Sequence, residues 1–521
     1  NIRKSVQLTD VKLRNGYGGK GPAVYFAGND KHDAVMTRVE IEQCYAYETN
    51  NGGGAIRSLG SSRSTLNIIS CKLHDNKALA GGGAIMWSGM RQLTIGGTES
   101  AYTEIYNNVS NRGGGLFTSA TLELDYVKIY ENQAVTNGTY GIGGGVLIKS
   151  YNGDQDEYDG AGFDITIKDH AYIYNNYAQR EGGGICVWVD PTPDIGLNAS
   201  DDPIDAYFRF IMEGGYVFGN SAVNGGGITI SDDAGKTYCK NYLSGVYHRS
   251  VDISGGHIFN NTCTGKGAGV YIHKYFRTKD YHGNNAYKNN NTIYDSWEDM
   301  ISCGGAGEIA ISISGVEIFN NKNTQTSGSD LNGGGVYIEN EFYGHDDMPN
   351  KCTVEVGTGT NIYGNSVPHV GGGLYLNGGD FIMDGGTIGK SGSTSYTDPL
   401  GTTVSFVNKN HAGQDGGGIA VNAGSVTIKG GTIHYNEATD NGGGLYMNSG
   451  NISMKNAIVE HNEASGKGGG LYNHSGDVVI NPNEDETIQT TIAHNTSASD
   501  GGGILDRKST RLNSSHITIS Y

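Results

Sequence analysis

A glycine triplet followed by an aliphatic residue recurs along nearly the whole chain, and no other feature restricts the possible folds as strongly. Its first glycine lies at 52, 81, 113, 143, 182, 225, 267, 333, 371, 416, 442, 468 and 501. Twelve copies read Gly-Gly-Gly, and the copy at 267 reads Gly267-Ala268-Gly269. The tightest spacing, from 416 to 442 to 468, is 26 residues, and longer intervals read as that unit plus insertions. A unit so short cannot bury an apolar face alone. It must stack on its neighbours, as solenoid repeats do.

A second marker, aliphatic-x-x-Asn, precedes the triplet. It appears as Leu73/Asn76, Ile105/Asn108, Ile129/Asn132, Ile173/Asn176, Val217/Asn220, Ile258/Asn261, Ile318/Asn321, Ile362/Asn365, Ile433/Asn436, Val459/Asn462 and Ile492/Asn495. The bare unit 442–467 reads as three short strands, Leu445-Tyr446-Met447, Asn451 to Met454 and Ala457-Ile458-Val459. Stacked coils about 4.8 Å apart would pair every strand with the next. The asparagines would then form a ladder at one turn. Alternation places the first residue after each triplet inward, from Ala55 to Ile504, and the next one outward. Phe117, Tyr271, Tyr337, Tyr375, Tyr446 and Tyr472 are thereby expected in an exterior aromatic column.

Composition agrees with strands and turns. Glycine numbers 85 and proline only 8, while tyrosine reaches 33. High glycine with little proline excludes a collagen-like chain. The formal charge of −18 opposes binding to nucleic acid phosphates. No apolar run is long enough for a transmembrane helix. Seven scattered cysteines, at 44, 71, 186, 239, 263, 303 and 352, contain no CxxC pair. Most are expected to be buried, with Cys44 and Cys71 one coil apart and able to stack or pair. The chain opens in strand-like sequence without an initiator Met, so a fragment or processed chain is expected.

Gly53 to Ile56 and Gly82 to Ile85 both read Gly-Gly-Ala-Ile. With the x-x-Asn element, this resembles the repeats of chlamydial polymorphic outer membrane proteins. It is more similar still to Gly-rich right-handed β-helix repeat proteins of gut bacteria. The resemblance covers residues 1–505. It implies an all-β, right-handed parallel β-helix of the pectin-lyase-like kind, with thirteen to fourteen coils of three strands, and a secreted or cell-surface, adhesive role. An aliphatic residue replaces that family's Phe in the x-x-Asn element, and no autotransporter barrel follows the repeats. The expected organisation is a solenoid over 1–506 and a non-repeat tail over 507–521. The tail resembles translated sequencing-adapter sequence and is expected to be non-native and to make few contacts.

Five successive coils carry insertions after the triplet strand, at about 149–163, 190–206, 231–250, 274–303 and 340–351. Insertions at one turn of a rigid repeat stack along one edge, where binding and catalysis commonly reside. Their content is acidic and aromatic. The candidate ligand residues are Asp154, Asp156, Asp159, Trp188, Asp190, Asp201, Asp202, Asp232, Asp233, Tyr281, His282, Trp297, Tyr343, His345, Asp346 and Asp347. Carboxylates with aromatic rings suit a glycan or a surface receptor. Asn152, Asp154 and Asp156 alternate as oxygen ligands for Ca²⁺, but Glu157 replaces the glycine that an EF-hand needs. The Asn-Thr-Asp, Gly-His-Gly and Arg-Ile-Lys segments of polygalacturonase-like hydrolases are absent, and no catalytic set can be assembled. A polysaccharide-degrading enzyme, a lyase with Lys236, Lys274 or Arg277 as its base before a glycoside hydrolase, and a structural spacer are the alternatives to a monomeric, non-catalytic adhesin. His434, His461 and His494 read as a polar stack near the turn.

Overall fold

The computed structural model describes residues 5–27, 33–49, 52–58, 64–88, 92–136, 140–150, 163–189, 206–233, 247–277, 288–289, 292–293, 309–328, 330–343, 352–481, 489–507 and 517–520. Among them every regular element is a strand. Two parallel ladders, of 39 and 14 strands, wind together into a parallel β-helix. The fourteen short strands count the coils. At a strand spacing near 4.8 Å, they make a rod of roughly 65 Å.

Each coil has three main faces. The first begins after the triplet, as in Leu445–Met447, the second is Asn451–Met454 and the third is Ala457–Glu460. A fourth element was not expected. Two-residue strands such as Glu463–Ala464 follow each ladder asparagine and form the 14-stranded sheet. Their second residue is Ala in Ala134, Ala178 and Ala222, which pack together. The same position also holds Cys263, Asn323 and Val367, all buried.

Inward residues of the three main faces form one apolar column. Leu116, Ile185, Val336, Leu374 and Leu445 are all fully buried and belong to it. The first two repeats shift by one residue. Ile56 pairs with Ile85, and Ile85 with Leu116. Ile56 and Ile85, rather than Ala55 and Ala84, therefore occupy the first inward position.

The triplet at 333–335 shows why glycine is needed. Gly333 has φ +71, and a Cβ there would lie 2.7 Å from the Tyr337 Cβ. A Cβ on Gly334 would meet the Gly372 carbonyl oxygen at 2.5 Å, in the next coil. One on Gly335 would press on Gly373 O at 2.5 Å and Asn365 Nδ2 at 3.0 Å. The first glycine permits the turn, and the other two permit close coil stacking.

The asparagine ladder is continuous and buried. The Asn261 amide N–H and Nδ2 both donate to Asn321 Oδ1, at 3.1 and 3.0 Å. Asn261 Nδ2 also donates to the Val217 carbonyl at 2.9 Å in the preceding coil. The same bonds recur from Asn76 to Asn495, and Cys44 begins the series by donating its N–H to Asn76 Oδ1. Asn410 is a ladder member absent from the expected set. It donates to Ile362 O and Asn436 Oδ1. An antiparallel hairpin, Ser393–Thr397 with Thr403–Val407, separates it from Ile388, the aliphatic residue of its coil.

The hairpin covers a column of stacked rings on the outside of the third face. His74, Tyr106, Tyr130, Tyr174, Phe218, Phe259, Phe319 and Tyr363 stack in sequence, with centroids 4.7–5.2 Å apart. Tyr396 of the hairpin meets Phe259 and Phe319 edge-on, at 5.0 and 4.9 Å. These rings occupy the first x of aliphatic-x-x-Asn. The second x takes left-handed φ, as at Asn107, Asn175, Asn260 and Asn320. The histidine column is corrected accordingly. Tyr435, His461 and His494 stack, whereas His434 lies on the third face opposite Glu460.

One further expectation changes. The tail contributes the strand Ile517–Ser520, which pairs in parallel with Thr490–Ala493 and extends the third face. Cys44 and Cys71 are buried free thiols, as are Cys186, Cys263 and Cys352. Cys239 and Cys303 lie outside the described residues.

Asn261→Ala should strip acceptors from two donors of Asn220 and remove the rung to Asn321. With buried groups left unpaired, it should destabilise the chain by about 2–4 kcal/mol in denaturant melts. Substituting the exposed hairpin residue Leu400 by Ala should change little.

Candidate functional site

The insertions leave at the corner between the first and second faces. Strands there are long. Ile228–Asp233 has six residues, Val270–Arg277 and Val336–Tyr343 eight each, against three in Leu445–Met447. On the second face, Ala206–Met212 and Tyr247–Ile253 have seven residues each. The 270–277 and 336–343 strands pair in register through Arg277 and Tyr343. The roots of the insertions are thus a continuous parallel ledge.

Most of the sequence-selected ligand residues lie outside the described residues: Asn152, Asp154, Asp156, Asp159, Asp190, Asp201, Asp202, Tyr281, His282, Trp297, His345, Asp346 and Asp347. Asp233 and Tyr343 end described strands. Trp188 is half-buried on the outside of the first face, with Lys149 Nζ 5.2 Å from its ring centre.

Asp232 is not a surface loop residue. It is 1% exposed and points inside the coil, in phase with Ile228 and Ile230. Arg249 Nη1 holds its Oδ1 at 2.7 Å, and Lys274 Nζ stands 3.8 Å from Oδ2. Lys274 is itself 1% exposed, which removes it from the bases accessible to a polymer. Period-two alternation from Ile228 and Val270 carries the signal for both positions. Their charge and their place in the insertions led instead to a surface assignment.

On the outer side of the same strands, Glu339 is buried in a polar cluster. Lys266 Nζ donates to both carboxylate oxygens at 2.7 and 2.9 Å, and Tyr271 OH donates at 2.6 Å. Asn377 Nδ2 adds a bond of 3.3 Å. Burial and then the Glu339 carboxylate push the Tyr271 hydroxyl far above its ordinary range, so it stays a donor. The outward aromatic residues are likewise covered rather than displayed. Phe117, Tyr271, Tyr337, Tyr375 and Tyr472 are all under one-tenth exposed, and Tyr446 is half-buried. Val370, next to a triplet, packs against Tyr271, Tyr337 and Tyr375, and Ile142 plays the same part beside Phe117.

Among the described residues, one group has metal-ligand spacing: Glu40, Glu42 and His74, near the start of the third face. The Lys12 ammonium already sits 3.0 and 2.9 Å from the two glutamates. It, followed by His74, holds the Glu40 carboxyl below its ordinary range. The two glutamates thus already share a cation, Lys12. Asn108-Val109-Ser110 and Asn473-His474-Ser475 have the Asn-x-Ser form of glycosylation acceptors, but their asparagines are structural. Asn108 and Asn473 are 0% and 1% exposed, so neither side-chain amide faces solvent.

No protein-family model, curated protein or solved structure matches the chain. No helix among the described residues is long and apolar enough to cross a membrane.

Lys266→Met should leave the Glu339 carboxylate buried without its main cation. A loss of about 3 kcal/mol is expected at neutral pH. Glu339→Gln in the same chain should restore most of it. Equal stability of the single and double variants in denaturant melts would contradict this ion pair.

Proposed function

We propose that the chain is a secreted or cell-surface, adhesin-like solenoid that binds a glycan or a surface receptor without turning it over. One observation carries the reading. The first-face strands of three consecutive insertion-bearing coils run past the three residues of Leu445–Met447 and pair in register, through Arg277 and Tyr343, so the roots of the acidic, aromatic insertions form a shared ledge. A structural spacer has no use for such concentration, since the unit 442–467 stacks without it. Rigid elements beneath loops lower the ordering cost of binding.

Catalysis has less support. The buried Asp232, Arg249 and Lys274 face the interior, where a polymer cannot reach them. The phenols of Tyr271 and Tyr337 are pushed up, chiefly by burial, and so are poor bases. The acidic residues of the insertions remain the candidate ligand contacts, with Ca²⁺ as an optional bridging ion.

The test is a glycan array and a host-surface binding assay, with a lyase assay that follows unsaturated products, each with and without Ca²⁺. Binding that disappears when 278–308 is replaced by a short turn, with no product formed, is the expected result. Ca²⁺-dependent product would replace the adhesin reading by a polysaccharide lyase. Failure to bind any glycan or surface would favour the spacer.

A further inference from the structure

At the corner where the insertions leave, three polar side chains stack at one inner position of successive coils. The register pairs Asp232 with Lys274, and Lys274 with Asn340. All three alternate in phase with core residues, so all point into the coil. They are 1%, 1% and 9% exposed. Their surroundings are apolar or closed. Val189 precedes Asp232 in the column and is fully buried, as is Phe208, the register partner of Arg249. Above Asn340 lies Gly378, where a Cβ would come within 3.0 Å of the Asn340 carbonyl oxygen.

The carboxylate is oriented. Arg249 Nη1 holds Asp232 Oδ1 at 2.7 Å, and Oδ2 faces Lys274 Nζ at 3.8 Å. Among the described residues, neither Oδ1 nor Nδ2 of Asn340 has a hydrogen-bond partner. A buried carboxamide left so is costly in a structure that otherwise satisfies its asparagines rung by rung. A lysine amine, a side-chain carboxamide and a carboxylate, stacked one coil apart in a water-poor interior, are the reactants for amide exchange. Adjacent strands about 4.8 Å apart bring two side chains of one column within reach of a near-attack geometry.

We propose that Lys274 and Asn340 join in an intramolecular isopeptide bond, with Asp232 carrying the proton and Arg249 positioning Asp232. The Lys274 amine, having given one proton to Asp232 Oδ2, attacks Asn340 Cγ. A bond forms between Nζ and Cγ, giving a tetrahedral centre. A proton then passes through Asp232 to Nδ2, the Cγ–Nδ2 bond breaks, and ammonia leaves. Overall, an ammonium and a carboxamide become a secondary amide and an ammonium ion, so atoms and charge balance and no oxidant is needed. The product removes a positive charge from the interior, which favours it over the separate groups. The bond would staple the coils on either side of the widest interval between triplets, from 267 to 333. It would anchor the insertion ledge covalently.

The experiment is the intact mass of the folded full chain, followed by peptide mapping. The expected mass is one ammonia, about 17 Da, below that calculated from the sequence. A branched peptide should link the segments holding Lys274 and Asn340. Asp232→Asn, Lys274→Arg and Asn340→Ala should each show their own full calculated mass, with β-sheet circular dichroism reporting that they fold. Lys274→Arg keeps the positive charge without a nucleophilic amine, so it remains informative if Asp232→Asn does not fold. A folded wild-type chain at full mass would overturn the proposal. So would a deficit that maps to a succinimide at an Asn-Gly pair such as Asn51-Gly52, or a deficit that persists in Lys274→Arg.

Discussion

The rest of the fold depends on the hydrogen bond from one buried asparagine amide to the next. Each rung satisfies a backbone N–H, a side-chain amide and a carbonyl of the preceding coil at a corner that water does not reach. Buried polar groups in such a network are specific because any slip leaves several of them unpaired at once. The ladder therefore sets the register of every coil, and with it the phase of the apolar column. The glycine triplet is its steric complement. A Cβ on the third glycine would press against the ladder amides, so the two motifs recur together.

A register held at one corner leaves the others free to vary. Between the first and second faces the chain departs repeatedly and returns to the same column. Between Ile388 and Asn410 it departs once, and the hairpin returns to the ladder after laying Tyr396 and Phe406 over the third-face rings. The two excursions differ in kind. The hairpin covers apolar rings and completes the packing, whereas the insertion edge lengthens strands and concentrates acidic and aromatic residues. This difference supports the proposed binding role of the insertion edge and gives the hairpin a packing role. The stacked rings point the same way. Their faces are occupied by one another, so the third face offers mainly ring edges to a sugar.

The repeat, the inward column and most of the ladder were legible because each rests on a local steric or hydrogen-bonding requirement repeated many times. Asn410 was missed because its hairpin breaks the spacing from Ile388, though Val407-x-x-Asn410 preserves the motif. The ring column was legible in principle, since the first x is aromatic in seven consecutive coils from Tyr106 to Tyr363. So was the fourth strand, from the recurring Asn-x-Ala of Asn132 to Ala134 and Asn176 to Ala178. Alternation assigned Tyr337 and Tyr375 correctly to the outside of the sheet but could not reveal what lies over it. That covering comes from the residues before the triplet, whose path depends on neighbouring coils. Asp232 and Lys274 were read as surface groups because charge outweighed alternation, and their burial became evident only when the strands were seen to continue beyond the usual three residues.

The central claim is that one uninterrupted ladder of twelve asparagines, from Asn76 to Asn495, holds successive coils in register, including those that bear the insertions. Hydrogen exchange of the native chain, read by mass spectrometry peptide by peptide, tests it most directly. Slow exchange at the N–H groups of every ladder asparagine from Asn76 to Asn462, continuous through the coils that bear insertions, is the predicted result. A break in protection between Asn220 and Asn365, dividing the chain into two independently opening blocks, would contradict the account.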